Sequence, residues 1–130
     1  MLILVTGLPG TGKTSLAQMI AADLSAAVIG HDWVMTGLRS HPSVWGAMEH
    51  LDHREFRSVG WSIMWNIALA QLREGRFIIL DGVARSPEIA QGQRVAREAD
   101  ARLSQSSAPG RPGSPSIKDL GTHTGYSELA

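Results

Sequence analysis

The feature that most constrains this chain is the octapeptide Gly7-Leu8-Pro9-Gly10-Thr11-Gly12-Lys13-Thr14. It fills every position of the pattern G-x-x-x-x-G-K-[ST]. Glycines at 7, 10 and 12 let a loop wrap with its amide N–H groups pointing inward and no Cβ in the way. The flanks fit a strand–loop–helix unit. Leu2-Ile3-Leu4-Val5 is a short apolar run of the kind used by strands buried on both faces. After the loop, Leu16, Ala17, Ile20, Ala21 and Leu24 recur on one helix face. A helix starting near Lys13 adds its N-terminal partial positive charge to the cradle. The pattern therefore points to a phosphate-binding loop, with Lys13 reaching β- and γ-phosphates and the Thr14 hydroxyl ligating Mg²⁺. Chance assembly from this chain's own Gly, Lys and Ser/Thr frequencies is roughly a few in a thousand. Of its two lysines, Lys13 and Lys118, one stands at the required place.

The remaining elements alternate. Ala26–Gly30 reads as a second strand with His31 and Asp32 at its carboxyl end. Residues 33–53 carry turn signals at Gly37 and His41-Pro42 and are read as short helices. Residues 54–74 form the longest predicted helix. Phe56, Val59, Ile63, Ile67 and Ala70 lie within about 60° of one line, and Trp61, Trp65 and Leu72 make a second stripe nearly opposite. That second stripe either lines a substrate pocket or packs against other elements; aromatic residues at helical spacing usually belong to a core. Phe77-Ile78-Ile79-Leu80 is a third strand ending in Asp81-Gly82. Ser86-Pro87-Glu88 has the form of a helix start, with Ser86 as N-cap, and the helix is expected to run to about Leu103. The β-α-β-α-β-α order predicts an α/β fold, a parallel sheet of about three strands with flanking helices.

Two acids stand where chemistry would need them. Asp81 closes an apolar strand and could hold Mg²⁺ directly or through water; an acid there can also serve a turn or an N-cap. Asp32 could take a proton from a substrate hydroxyl attacking the γ-phosphate, or could be a surface residue capping residues 33–38. His50 and His53, beside Glu49 and Asp52, have a metal-like spacing but read as a solvated polar segment.

Together, Gly7–Thr14, Asp32 and the Phe77–Asp81 strand resemble the P-loop kinases of small molecules. The nearest group is the compact one that includes gluconate kinase, chloramphenicol phosphotransferase, polynucleotide kinase and zeta-toxin-like proteins, often labelled AAA-family ATPases. The resemblance covers residues 1–103. It implies ATP and Mg²⁺ as cofactors and phosphoryl transfer to a hydroxyl of a small molecule. Residues Gly7, Leu8, Pro9, Gly10, Thr11, Gly12, Lys13, Thr14 and Ser15 would form the nucleotide cradle. Thr14 and Asp81 would serve the metal, and Lys13 and Asp32 the chemistry. Many members place an arginine three residues after the base; here Met35 stands there, and Arg39 is the nearest candidate. Arg85 follows the strand-end acid at a position resembling another family arginine, or is simply an exposed charge.

Residues 104–130 differ in kind. Thirteen of these 27 are Gly, Pro or Ser, and Ile117, Leu120, Tyr126 and Leu129 are scattered without period. Such a composition buries too little apolar area to offset ordering entropy, so a disordered tail is expected. The resemblance would call for a fourth strand, an arginine-bearing lid and a fifth strand. Ser104–Pro109 does not read as a buried strand. The expectation is a chain whose frame shifts or terminates near residue 103. Leu2–Val5 would then become an exposed sheet edge able to recruit a second copy. A catalytically inactive nucleotide-binding remnant and an ATPase are therefore the alternatives to a kinase. Twelve basic against twelve acidic residues give no polyanion footprint, so nucleic acid is not indicated. No run reaches the length of a membrane span. The absence of cysteine removes thiol and disulfide chemistry. A cytoplasmic domain is expected.

Overall fold

The computed structural model describes residues 1–7 and 12–107. Strand β1 (Leu2–Thr6) leads through the glycine loop into helix α1 (Lys13–Leu24). Strand β2 (Ala27–Gly30) runs directly into α2 (His31–Arg39), followed by α3 (Pro42–Met48) and the long α4 (His53–Arg73). Strand β3 (Ile78–Asp81), helix α5 (Ser86–Glu98) and strand β4 (Leu103–Ser107) are the remaining elements among the described residues. All pairings are parallel, in the order β2-β3-β1-β4.

Alternation along the strands sorts the core into two layers. Leu2, Leu4, Ile78, Leu80 and Leu103 pack with Trp61, Met64, Trp65, Ala68, Leu72, Val95 and Ala96 of α4 and α5. Ile3, Val5 and Ile79 pack on the other face with Leu16, Ala17 and Ile20 of α1. The two faces follow from right-handed crossovers. The chain moves one way across the sheet from β1 to β2 and the other way from β2 through β3 to β4. Connections leaving the adjacent strands β1 and β3 therefore diverge, opening a crevice at their carboxyl ends.

Several expectations are corrected. Among the described residues the sheet has four strands, not three, because Leu103–Ser107 pairs with β1 from Leu2↔Leu103 to Thr6↔Ser107. A parallel ladder needs backbone groups rather than apolar side chains. Leu103 alone anchors the strand in the core, while Ser104 and Ser106 are buried on the face shared with Ile3 and Val5. Strand β1 is consequently interior, and β4 is the edge on that side. Helix α5 ends at Glu98 instead of running to about Leu103. Asp100 takes a left-handed φ of 52°, and Ala101 N–H closes onto the Ala96 carbonyl at 2.8 Å. Its N-cap is Arg85 rather than Ser86, with the Arg85 N–H donating to the Glu88 carboxylate at 2.8 Å. The Trp61/Trp65/Leu72 stripe faces elements that are present, namely the sheet and α5. Residues 108–130, the bulk of the expected tail, lie outside the described residues. Among the described residues no helix is long and apolar enough to cross a membrane.

Candidate functional site

Gly7 follows β1 with φ 152°, and Gly12 caps α1 with φ 84°, a left-handed conformation that side chains rarely adopt. Among the described residues no side chain caps α1, and no acid occupies its first turn, so that turn carries no negative charge of its own. Leu8, Pro9, Gly10 and Thr11 lie outside the described residues. Lys13 and Thr14 line a cleft of about 360 Å³ that also takes in Asp32 and Asp81. Ser15 is exposed on α1 and is not among the cleft-lining residues.

Register places Asp81 beside Val5, two residues before the glycine loop begins at Gly7. Thr14 Oγ1 donates to Asp81 Oδ2 at 3.2 Å. Oδ1 of the same carboxylate is buried with no hydrogen-bond partner among the described residues. Burial pushes the Asp81 carboxyl above its ordinary range; Lys13 and the Thr14 hydroxyl pull it down, and the nearby Asp32 charge raises it further. A half-satisfied carboxyl group beside a hydroxyl offers hard oxygen donors, a set that fits a magnesium ion.

Asp32 sits in the first turn of α2, exposed and lining the same cleft. Gly30 is the N-cap of that helix, so the capping alternative for Asp32 is not the arrangement found. Arg39 also lines the cleft, its guanidinium 5.0 Å from the Trp45 ring centroid. Met35 is there too, whereas Arg85 is exposed at the start of α5 and does not line the cleft. Asp52 accepts from the Glu55 N–H at 2.9 Å as the N-cap of α4. His50 is exposed, and no cluster of three or more metal-ligating side chains occurs among the described residues. Glu49–His53 joins α3 to α4. His53 does contribute to the cleft wall.

The most consequential residue missed by sequence reasoning is Arg57. Its Nη2–H donates to the Val83 carbonyl, tying α4 to the loop after Asp81. The Arg57 carbonyl in turn accepts from His31 Nε2–H at 3.0 Å, which sets that tautomer. His31 stacks on Trp61 at 5.4 Å, and Trp61 on Trp65 at 5.3 Å. A signal existed, since Arg57 lies one turn before Trp61 on the stripe that faces inward. Trp33, Trp45 and Val83 are further wall residues without a sequence motif.

Comparison with known proteins follows this geometry. A family model described as "AAA domain" matches residues 2–105. A search of curated proteins gave no match. Among solved structures, a kinase-assigned protein from Chloroflexus aurantiacus is similar with 22% identity and TM-score 0.63, over 82% of this chain and 57% of that one. A second, APE1195, has 22% identity and TM-score 0.65, over 92% of this chain and 66% of that chain. The APS kinase CysC of Mycobacterium tuberculosis, in complex with AMPPNP and APS, has 18% identity and TM-score 0.63, over 82% of this chain and 61% of that one. The chain thus spans a little over half to two thirds of these structures, and the likeness shows a shared fold.

Proposed function

This chain belongs to the AAA domain family, and from that premise we propose that it binds ATP with Mg²⁺ and transfers the γ-phosphoryl group to a hydroxyl of a small molecule. The observation that carries the reading is the Thr14–Asp81 hydrogen bond beside Lys13, with Asp32 across the same cleft. Lys13 and the uncapped start of α1 would neutralise the triphosphate tail. Thr14 and Asp81 would hold the metal, which when bound supplies charge neutralisation between the β- and γ-phosphates. Asp32 would receive the acceptor's proton. As the acceptor oxygen bonds to the γ-phosphorus, the bond from that phosphorus to the bridging oxygen breaks and ADP leaves with the electron pair.

Titration calorimetry with Mg–ATP tests the nucleotide half. Lys13→Ala is expected to weaken binding about 10- to 100-fold, the worth of a charge-assisted contact; equal affinity would sink the phosphate cradle. A transfer screen over hydroxyl compounds tests the other half. Asp32→Ala should lower transfer about 10²- to 10⁴-fold while ATP binding persists. Turnover independent of any acceptor would instead identify an ATPase.

A further inference from the structure

The outer half of the cleft has a composition that the phosphate chemistry leaves unused. With Lys13 assigned to phosphates and Asp81 to the metal, Asp32, Arg39 and Arg57 remain as its full charges. The ion pair found among the described residues is Arg73–Glu98, far from this cleft in sequence and fold. Arg39 is exposed and rests on Trp45 without a carboxylate partner among the described residues. Arg57 is half-buried and directs one N–H to Val83. A guanidinium has five donors in a rigid fork, so this anchor holds the group in place and leaves donors for a ligand.

Around these cations stands an aromatic wall. Trp45 meets Phe56 edge-on at 5.1 Å and 76°. Trp33, in the same wall, is 55% exposed, the largest exposure among the described large hydrophobic residues. Water against two tryptophans and a phenylalanine is unfavourable, and a flat ligand surface would displace it. A neutral polyol would satisfy neither the arginines nor the rings.

We propose that the acceptor is a ring-bearing hydroxyl compound with an anionic group, its carboxylate or phosphate held by Arg57 and Arg39 and its ring packed into the aromatic wall of Trp33, Trp45 and Phe56. This rests on the kinase reading above and narrows its substrate class.

The test follows tryptophan fluorescence of the full chain, with and without Mg–AMPPNP. The probes are para-hydroxymethylbenzoate, para-hydroxymethylphenyl phosphate, the neutral para-hydroxymethylbenzamide and the ring-free anion glycolate. One of the two ring-bearing anions should bind about tenfold or more tighter than both the amide and glycolate. Which of them is tighter identifies carboxylate or phosphate as the anion. Arg39→Gln and Arg57→Gln should each erase most of the preference over the amide, and Trp45→Leu most of the preference over glycolate. If Arg57→Gln fails to fold because the Val83 anchor is lost, Arg39→Gln decides. Equal binding of anion and amide, no binding by either ring-bearing anion, or a preference that survives Arg39→Gln would overturn the proposal. Mg–ATP calorimetry on the same samples separates the two ideas. ATP binding without anion preference removes this inference alone, whereas anion preference without ATP binding removes the kinase reading and leaves the site.

Discussion

Asp81 carries the central conflict of the site. Burial disfavours its charge, while the role proposed for it requires that charge. The linkage has a definite sign. A carboxyl whose folded pKa is raised holds more protons in the native state than in the unfolded one across the interval between the two values. The stability contributed by this group is therefore highest below the unfolded pKa and falls as pH rises through the folded one. Asp81→Asn should accordingly melt higher than wild type at neutral pH without nucleotide, with the gain vanishing in acid. The same variant should lose magnesium-dependent ATP binding. Scanning calorimetry over pH would check the first part, and the absence of a neutral-pH gain would contradict it. Gly82, the next residue, tests packing. A Cβ there would lie 2.8 Å from Trp61 and 3.0 Å from the His31 Cβ, both rigidly held. Gly82→Ala should cost about 1–3 kcal/mol in urea unfolding. At Gly60 the added carbon would lie 2.7 Å from His31 Nε2, held in turn by the Arg57 carbonyl, and 2.8 Å from the more flexible Met35 sulfur, so the clash there offsets a helix interior's preference for alanine.

At the scale of elements, α4 shows which of two apolar stripes becomes core. Trp61, Met64, Trp65, Ala68 and Leu72 are buried against the sheet and α5, whereas Ile63 and Ile67 are 36% and 38% exposed. Periodicity detects stripes but does not choose among them. Here the larger rings fill the space between helix and sheet, and the price is a buried Trp61 Nε1 without a partner among the described residues. Trp61→Ala is expected to destabilise by about 3–5 kcal/mol, and Ile63→Ser by about 0.5 kcal/mol or less. Comparable losses at both sites would mean that the helix is rotated from the orientation described. Helix α4 also bears on the site directly, since its first turns bring His53, Phe56 and Arg57 to the cleft.

For the whole molecule, strand order does the positioning. β1 and β3 are interior, and their carboxyl ends deliver the glycine loop and Asp81 to one crevice. β2 and β4 are edges, each with one side of its backbone unpaired within the sheet. Amide exchange should therefore be slowest in β1 and β3, with β2 and β4 faster on the order of tenfold or more. Fast exchange in β1 matching that of the edges would show that β4 is not docked. The β1 edge expected in the sequence analysis is thus covered by β4.

By itself the sequence determined the strand–loop–helix unit, the parallel alternation and the candidate acids, because these depend on local matters: glycine conformations, apolar periodicity and residues adjacent to strand ends. Lys13, Thr14, Asp32 and Asp81 were all legible in this way. Only the tertiary structure decided that a serine-rich segment pairs with β1, since its stabilisation comes from a partner strand a hundred residues away. It likewise decided which α4 stripe turns inward and that Arg57, Arg39 and Trp45 share a wall with Asp32. Those relations are set by packing between distant segments, where the free energy depends on what each side chain meets and not on its neighbours in the chain.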